Sequence, residues 1–223
     1  MITNSTELFK LLKKAGFDNK SRDTWWWPES GSFEVVVGAI LTQNTTWLNV
    51  EKALNNLKKS NNLTLNKLTN IDILQLQELI RPSGFYKAKS KNIKLLSQNI
   101  LKEYEDFDFF KSEVTRDWLL NQKGIGQESA DAILNYACYK EAFVVDSYTN
   151  RLLKAFGYEF NSYNELQEWI VESFYNDYYE VYPNLSRANA YARVHGMVVE
   201  YCKIYSKKGT INIDKLLDIS RGL

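Results

Sequence analysis

Residues 121–136 read NQKGIGQESADAILNY, and the fold turns on them. Gly124 and Gly126, two of only ten glycines in the chain, flank Ile125. Before them, VTRDWLLNQ carries apolar residues at helical spacing, and after them ESADAILNYAC does the same. One helix therefore runs into a Lys-Gly-Ile-Gly turn and a second starts at once. Glycine admits backbone conformations closed to other residues and lets another chain approach closely. The first turn of the second helix also exposes unpaired N–H groups. Such a turn can grip a phosphate through the main chain without reading sequence, or it can be a plain connection between helices. Ile125 is expected to plug the turn onto the core. Glu128 stands in the first helical turn, where a carboxylate suits the positive end of the helix dipole. Further on, VVDSYTNRL sets Asp146 behind Phe143, Val144 and Val145, at the start of another helix.

Outward from this stretch the chain reads as helical almost throughout. Apolar residues recur at helical spacing in STELFKLLKKAGF, FEVVVGAILTQ, WLNVEKALNNLKK, IDILQLQELI, AKSKNIKLLSQNILKEY, DSYTNRLLKAFG, YNELQEWIVESFY and NLSRANAYARVHGMVVEYCKIY. Asp146 and Ser162 are candidate N-caps, and Gly16, Gly84 and Gly157 candidate helix stops. Strand-like alternation is scarce; AFVVD, residues 142–146, is the best candidate for one. The pattern predicts an all-α fold without solenoid repeats.

A chain of 223 residues has length for a real core in one domain or two small ones. No apolar run approaches the ~18 residues of a membrane span. The N-terminus reads as an amphipathic helix rather than a signal peptide, so a cytoplasmic location is the expectation. The two cysteines, Cys138 and Cys202, are not in a CxxC pair and cannot build a four-cysteine zinc or iron–sulfur site. The net charge of +1 is uninformative, but its distribution is not. From Arg81 to Lys102 there are six basic residues and no acidic one, whereas residues 155–186 hold no basic residue. Such polarity suits one face turned to a polyanion, and equally two solvated helix faces.

The order helix, GIG turn, helix, apolar link and helix-starting Asp resembles the helix–hairpin–helix and Gly-Pro-Asp signature of the endonuclease III superfamily of DNA glycosylases. KGIGQESADAILNYACYKEAFVVDSYTNRL follows that signature through its length, with Val145 where the signature has proline. Upstream, VVVGAILTQNTTWLNVEKAL resembles the family's early helix pair, and RPSGFYKAKSKNIKLLSQNIL its later G-x-Y-x-x-K segment. Bifunctional members carry a lysine two residues after the second hairpin glycine; Glu128 stands there instead. A lysine amine can form a Schiff base with the sugar, and a carboxylate cannot. The family's C-terminal four-cysteine cluster is also missing. With TWWWPES at 24–30 and ARVHGMVVEYCK at 192–203, the chain is most similar to the iron–sulfur-free 3-methyladenine DNA glycosylases of the superfamily.

That resemblance implies a monofunctional enzyme without cofactor. It would excise alkylated purines, 3-methyladenine first, from double-stranded DNA by base flipping and hydrolysis, leaving an abasic site. Asp146 is then the carboxylate that steadies a cationic sugar, a role compatible with its N-cap reading. Trp26 and Trp47 resemble the two slices of a sandwich around the base, and Trp27 a pocket wall. From the residues alone, the run Trp25 to Trp27 reads equally as core and loop packing. Glu128 and Lys203 join the expected pocket, although Glu128 also reads as a partner of the helix N-terminus and Lys203 as a solvated helix cation. Gln43 resembles the residue that fills the gap left by the flipped nucleotide, or else is a turn amide. Lys123, Gly124, Ile125 and Gly126 form the DNA-binding hairpin, and Lys87, Lys89 and Lys91 are expected to meet phosphates. Met197 stands where some relatives carry a lysine. His195, the single histidine, is assigned a structural role on the last long helix.

The implied architecture has two lobes. Residues 30–140 form a central helical lobe ending in the hairpin, and residues 1–29 with 141–223 form the other, with the base pocket expected between them. A monomer is expected. Three other readings stay open: a bifunctional glycosylase and abasic lyase, a DNA-binding module without catalysis, and a small-molecule-binding helical protein, in which the hairpin would have no purpose. Glu128 argues against the first and Asp146 against the second.

Overall fold

A computed structural model describes residues 2–18 and 23–222. Helices dominate it: α1 (Ser5–Lys14), α2 (Phe33–Leu41), α3 (Trp47–Lys59), α4 (Leu65–Asn70), α5 (Ile73–Ile80), α6 (Tyr86–Tyr104) and α7 (Phe107–Glu113). They continue as α8 (Arg116–Leu120), α9 (Gln127–Ala132), α10 (Ser147–Ala155), α11 (Tyr163–Val181), α12 (Arg187–Tyr205) and α13 (Asp214–Arg221). The all-α reading holds. Two residue pairs, β1 (Ser206–Lys207) and β2 (Thr210–Ile211), make a small antiparallel hairpin after α12. Among the described residues, no helix is long and apolar enough to cross a membrane.

The chain divides into two compact units, residues 29–139 and residues 1–28 with 140–223. In the continuous unit, α2 is the inner helix. Every residue of FEVVVGAIL except Glu34 is buried, as expected of a helix apolar all round. Its C-terminus meets an unexpected partner. Lys89, anticipated as a phosphate contact, is 3% exposed. Its Nζ donates to the Leu41 and Ser83 carbonyls, both at 2.8 Å. Leu41 ends α2, and Ser83 ends the short 3₁₀ turn Arg81–Ser83, so one ammonium satisfies carbonyls at two helix ends. Burial pushes its pKa down to about 8. Lys94 is likewise turned inward, donating to the Ile71 carbonyl at 2.6 Å. The basic run of residues 81–102 is therefore not one continuous charged face; Arg81, Lys87, Lys91 and Lys102 are its exposed members.

In the discontinuous unit the inner helix is α12, buried from Ala188 through Val199. Phe9, Phe143 and Phe174 cluster with its own Tyr191, with Phe9 and Phe174 edge to face at 4.7 Å and Phe143 and Tyr191 at 5.4 Å. The AFVVD segment is not a strand. It runs without a ladder through the core, with Phe143, Val144 and Val145 buried. Side chains do the work of a partner strand: Tyr163 Oη accepts from the Val145 N–H at 3.2 Å, and Gln167 Nε2 donates to the Phe143 carbonyl at 2.6 Å.

Candidate active site

The GIG turn joins α8 to α9, and α9 continues into a π-turn over Ile133–Ala137. Arg116, at the start of α8, clasps the buried Asp131 of α9 through Nε at 2.7 Å and Nη2 at 3.1 Å. This forked pair fixes the angle between the two helices. Ile125 is buried beneath the turn, while Lys123, Gly124, Gly126 and Glu128 are exposed. The two glycines are not equivalent. Gly124 has φ +81°, and a Cβ there would lie 2.0 Å from Asn92 Nδ2. Gly126 has φ −94°, and a Cβ there would meet nothing within 4 Å. Gly124 is thus demanded by the protein itself, whereas no neighbour within the chain explains Gly126.

Gln43 lies beside the same turn. Its Nε2 donates to the Gly124 carbonyl at 2.9 Å and to Ser129 Oγ at 3.0 Å. The amide nitrogen thus ties the segment after α2 to the hairpin. Trp47, the first residue of α3, is half-buried in this same unit. Phe85, which sequence reading passed over, is 70% exposed with φ +46° at the head of α6. A large apolar side chain held out on a left-handed residue is unusual. Its signal was the Gly-Phe pair ahead of a lysine-rich helix.

The other unit holds Asp146. The residue caps α10, with Oδ1 accepting from the Thr149 N–H at 2.8 Å and from Thr149 Oγ1 at 2.9 Å. Oδ2 lies 3.6 Å from His195 Nε2, an electrostatic contact rather than a full hydrogen bond. Burial alone would raise the carboxyl pKa. His195 and Thr149 outweigh burial and hold it below the ordinary 3.8. A carboxylate kept ionised with a side chain 15% exposed can stabilise a nearby cation in a medium that screens poorly. His195, assigned only a structural role from sequence, is thereby brought to the candidate catalytic carboxylate. The 48 residues between Asp146 and His195 left no sequence signal for it.

The tryptophan run is in this unit as well. Trp27 is buried, as the packing reading expected, and stands edge to face with Trp26 at 6.5 Å. Trp26 is half-buried, and its ring meets the His195 ring edge to face at 5.5 Å. His195 therefore touches both Trp26 and the Asp146 carboxylate. Lys203, near the end of α12, is exposed. Met197 faces inward: Tyr182 Oη lies 3.7 Å from its sulfur and donates to Asp18 Oδ1 at 2.8 Å. Arg193 pairs with that Asp18 carboxylate, whose pKa is lowered because Arg193 and Tyr182 outweigh burial. Cys138 and Cys202 are free and buried, and two cysteines cannot carry a four-cysteine cluster. Among the described residues no group of three or more His, Cys, Asp or Glu side chains could hold a metal ion.

A helix–hairpin–helix followed by a capped, ionised aspartate is the frame on which a known class of proteins is built. The chain belongs to the HhH-GPD superfamily of base excision DNA repair proteins, whose family model matches residues 37–171. Over 93% of its own length and 93% of the relative's, it is 40% identical to the Methanocaldococcus jannaschii protein named "Putative DNA repair glycosylase MJ1434". Among solved structures it is similar to Helicobacter pylori 3-methyladenine DNA glycosylase MagIII bound to 1,N6-ethenoadenine. That match has a TM-score of 0.86 and 45% identity, covering 92% of this chain and 99% of the other. A non-covalent endonuclease III–DNA complex shares the fold at 20% identity and a TM-score of 0.68, over 93% of this chain and 91% of that one.

Proposed function

We propose that the protein is a monofunctional DNA glycosylase that removes alkylated purines, 3-methyladenine foremost, and leaves an abasic site. The observation that carries the reading is Asp146, a carboxylate held ionised at the head of α10. Methylation at a purine ring nitrogen makes the base cationic and weakens its bond to the sugar. The leaving group then needs little protonation. What the enzyme must supply is a flipped base, a steadied oxocarbenium-like sugar and access for water. Asp146 supplies the negative charge for the sugar.

Trp26 and Trp47 supply indole faces for the flipped base, where a cationic purine gains roughly 0.5–2 kcal/mol from each good contact. Neutral, undamaged purines lack that gain. Trp27, Glu128 and Lys203 are the further pocket candidates. Outside the pocket, Gly126 and the exposed Lys123, Lys87 and Lys91 meet phosphates, which positions the duplex without reading its sequence. Gln43 enters the space that the flipped base leaves. Phe85 suits a wedge between stacked bases, as exposed apolar side chains do in other DNA-bending proteins.

The name of the M. jannaschii relative supports glycosylase chemistry, and that of the H. pylori protein supports 3-methyladenine. The ligand of the latter favours 1,N6-ethenoadenine as a second substrate, flat like 3-methyladenine but uncharged. Water, not an enzyme amine, takes the sugar, because Glu128 occupies the position of the lyase lysine. No iron–sulfur cluster takes part.

The test is to incubate the protein with methylated duplex DNA, separate the released bases by chromatography, and add borohydride in parallel. Free 3-methyladenine, abasic sites that break only on heating or alkali, and no trapped protein–DNA adduct are expected. Strand cleavage with a trapped adduct would replace this reading with a bifunctional one. Absence of any released base would remove the assignment.

A further inference from the structure

One face of α12 holds the tryptophan segment. Asn189, Arg193, Gly196 and Glu200 recur at intervals of four, three and four, so they line one side of the helix. The Asn189 amide, oriented by its neighbours, donates to the Thr24 carbonyl and accepts from Trp25 Nε1, both at 3.2 Å. Arg193 Nη1 donates to the Asp23 carbonyl at 3.3 Å, and that same carbonyl accepts the Trp26 N–H at 2.7 Å. These contacts hold Trp26 at φ +66°, a left-handed conformation that a bulky residue adopts only under constraint.

The ring itself is placed by the other two residues. A Cβ on Gly196 would lie 2.4 Å from both Trp26 Cδ1 and Cγ and 2.8 Å from Cδ2. Near-equal approach to three adjacent ring atoms means that the α12 backbone lies against the face of the pyrrole ring. A stacking base must then take the opposite face. Glu200 Oε1 accepts the indole Nε1–H at 3.3 Å.

We propose that Glu200 is a specificity-determining residue. Its carboxylate, hydrogen-bonded to the Trp26 indole N–H while Gly196 fixes the ring plane, makes that ring a more electron-rich wall. The pocket then favours purines that carry positive charge over neutral purines of similar size. An N–H donating to an anion pushes electron density into the ring, and a cation stacked on the ring face gains from that density. A neutral ethenoadenine gains much less. The inference rests on the alkylpurine reading above and adds the origin of its selectivity.

Glu200→Gln keeps an oxygen acceptor at the same reach and removes the charge. The measurement is equilibrium binding by fluorescence anisotropy, in an Asp146→Asn background so that neither lesion is consumed. Two duplexes of one sequence are compared, one with 7-methylguanine (cationic) and one with 1,N6-ethenoadenine (neutral). Glu200→Gln is expected to lower the cationic-to-neutral affinity ratio by roughly three- to tenfold. Taking a ratio cancels any general effect of a lost negative charge on DNA binding. Trp26→Phe removes the N–H, and in that background Glu200→Gln is expected to leave the ratio unchanged.

A ratio that Glu200→Gln does not move overturns the proposal. So does an equal fall in the Trp26→Phe background, which would mean that the carboxylate acts on the base directly. Wild-type protein that releases no alkylated base removes the functional reading in a separate assay, so the two failures are distinguishable.

Discussion

The two hairpin glycines should fail in different ways when each is replaced by alanine. At Gly124 the new side chain must adopt φ +81°, costing roughly 1–2 kcal/mol for an L residue. Its Cβ also starts 2.0 Å from Asn92 Nδ2 and 2.6 Å from Cγ, so the amide must swing aside. Overpacking of this kind adds about 1–2 kcal/mol. The sum, ~2–4 kcal/mol, corresponds to a fall of roughly 5–15 °C in melting temperature for a chain of this size.

At Gly126 the backbone is in a region open to any residue, and nothing lies within 4 Å of the added carbon. The folded protein should lose about 1 kcal/mol or less, the difference between glycine and alanine at a helix N-cap. Binding should suffer far more. A methyl group there holds the main chain off the phosphate, and losing one hydrogen bond to a charged group costs about 1.5–3 kcal/mol, a factor of roughly 10–100. Thermal melting and anisotropy titrations of undamaged and lesion-bearing duplexes separate the two effects. Gly126→Ala that binds both duplexes like wild type would show that the hairpin backbone does not meet DNA. Loss confined to the damaged duplex would show that the turn reads the lesion.

Two further predictions concern charge. Asp146→Asn should keep fold and DNA affinity but lose excision by a hundredfold or more in single-turnover assays, because the amide retains the shape and not the charge; full activity would overturn the mechanism. Since His195 and Thr149 hold the Asp146 pKa below 3.8, its stabilising contribution is complete above the unfolded value and fades only as pH falls through the lower folded one. For Lys89 the sign is opposite. With a folded pKa of about 8 against 10.5 unfolded, its buried charge costs stability below pH 8, and the cost is relieved as pH rises toward 10.5. Wild type should therefore gain on Lys89→Met by up to ~3 kcal/mol between pH 7 and 10 in denaturant titrations, whereas parallel profiles would contradict the assignment.

Much of the helical frame was legible because long amphipathic helices repeat their own evidence. The segment 47–59 shows its apolar stripe over three turns and coincides with α3. The short helices α4, α7 and α13, of six to eight residues, were not among the segments read from apolar spacing. For α4 and α7 the caps were the available signal: Thr64 accepts from the Lys67 N–H, and Asp106 from the Phe109 N–H, whereas α13 follows Ile213 without a side-chain cap. AFVVD looked like a strand because β-branched residues and burial go together in sheets. Here burial came from an aromatic core, and Tyr163 and Gln167 took the backbone hydrogen bonds.

By itself the sequence determined the helical class, the hairpin with its following aspartate, and the lack of cysteines for a metal cluster. These depend on local spacing, on composition, or on a motif written in consecutive residues. Tertiary structure alone decided the rest. It turned Lys89 inward to two helix ends, set Asn92 against Gly124 while leaving open space at Gly126, and set His195 beside Asp146. It also laid Trp26 on Gly196, 170 positions away along the chain. The physical reason is that burial and electrostatic environment belong to the neighbours of a side chain, and folding chooses those neighbours from distant parts of the sequence.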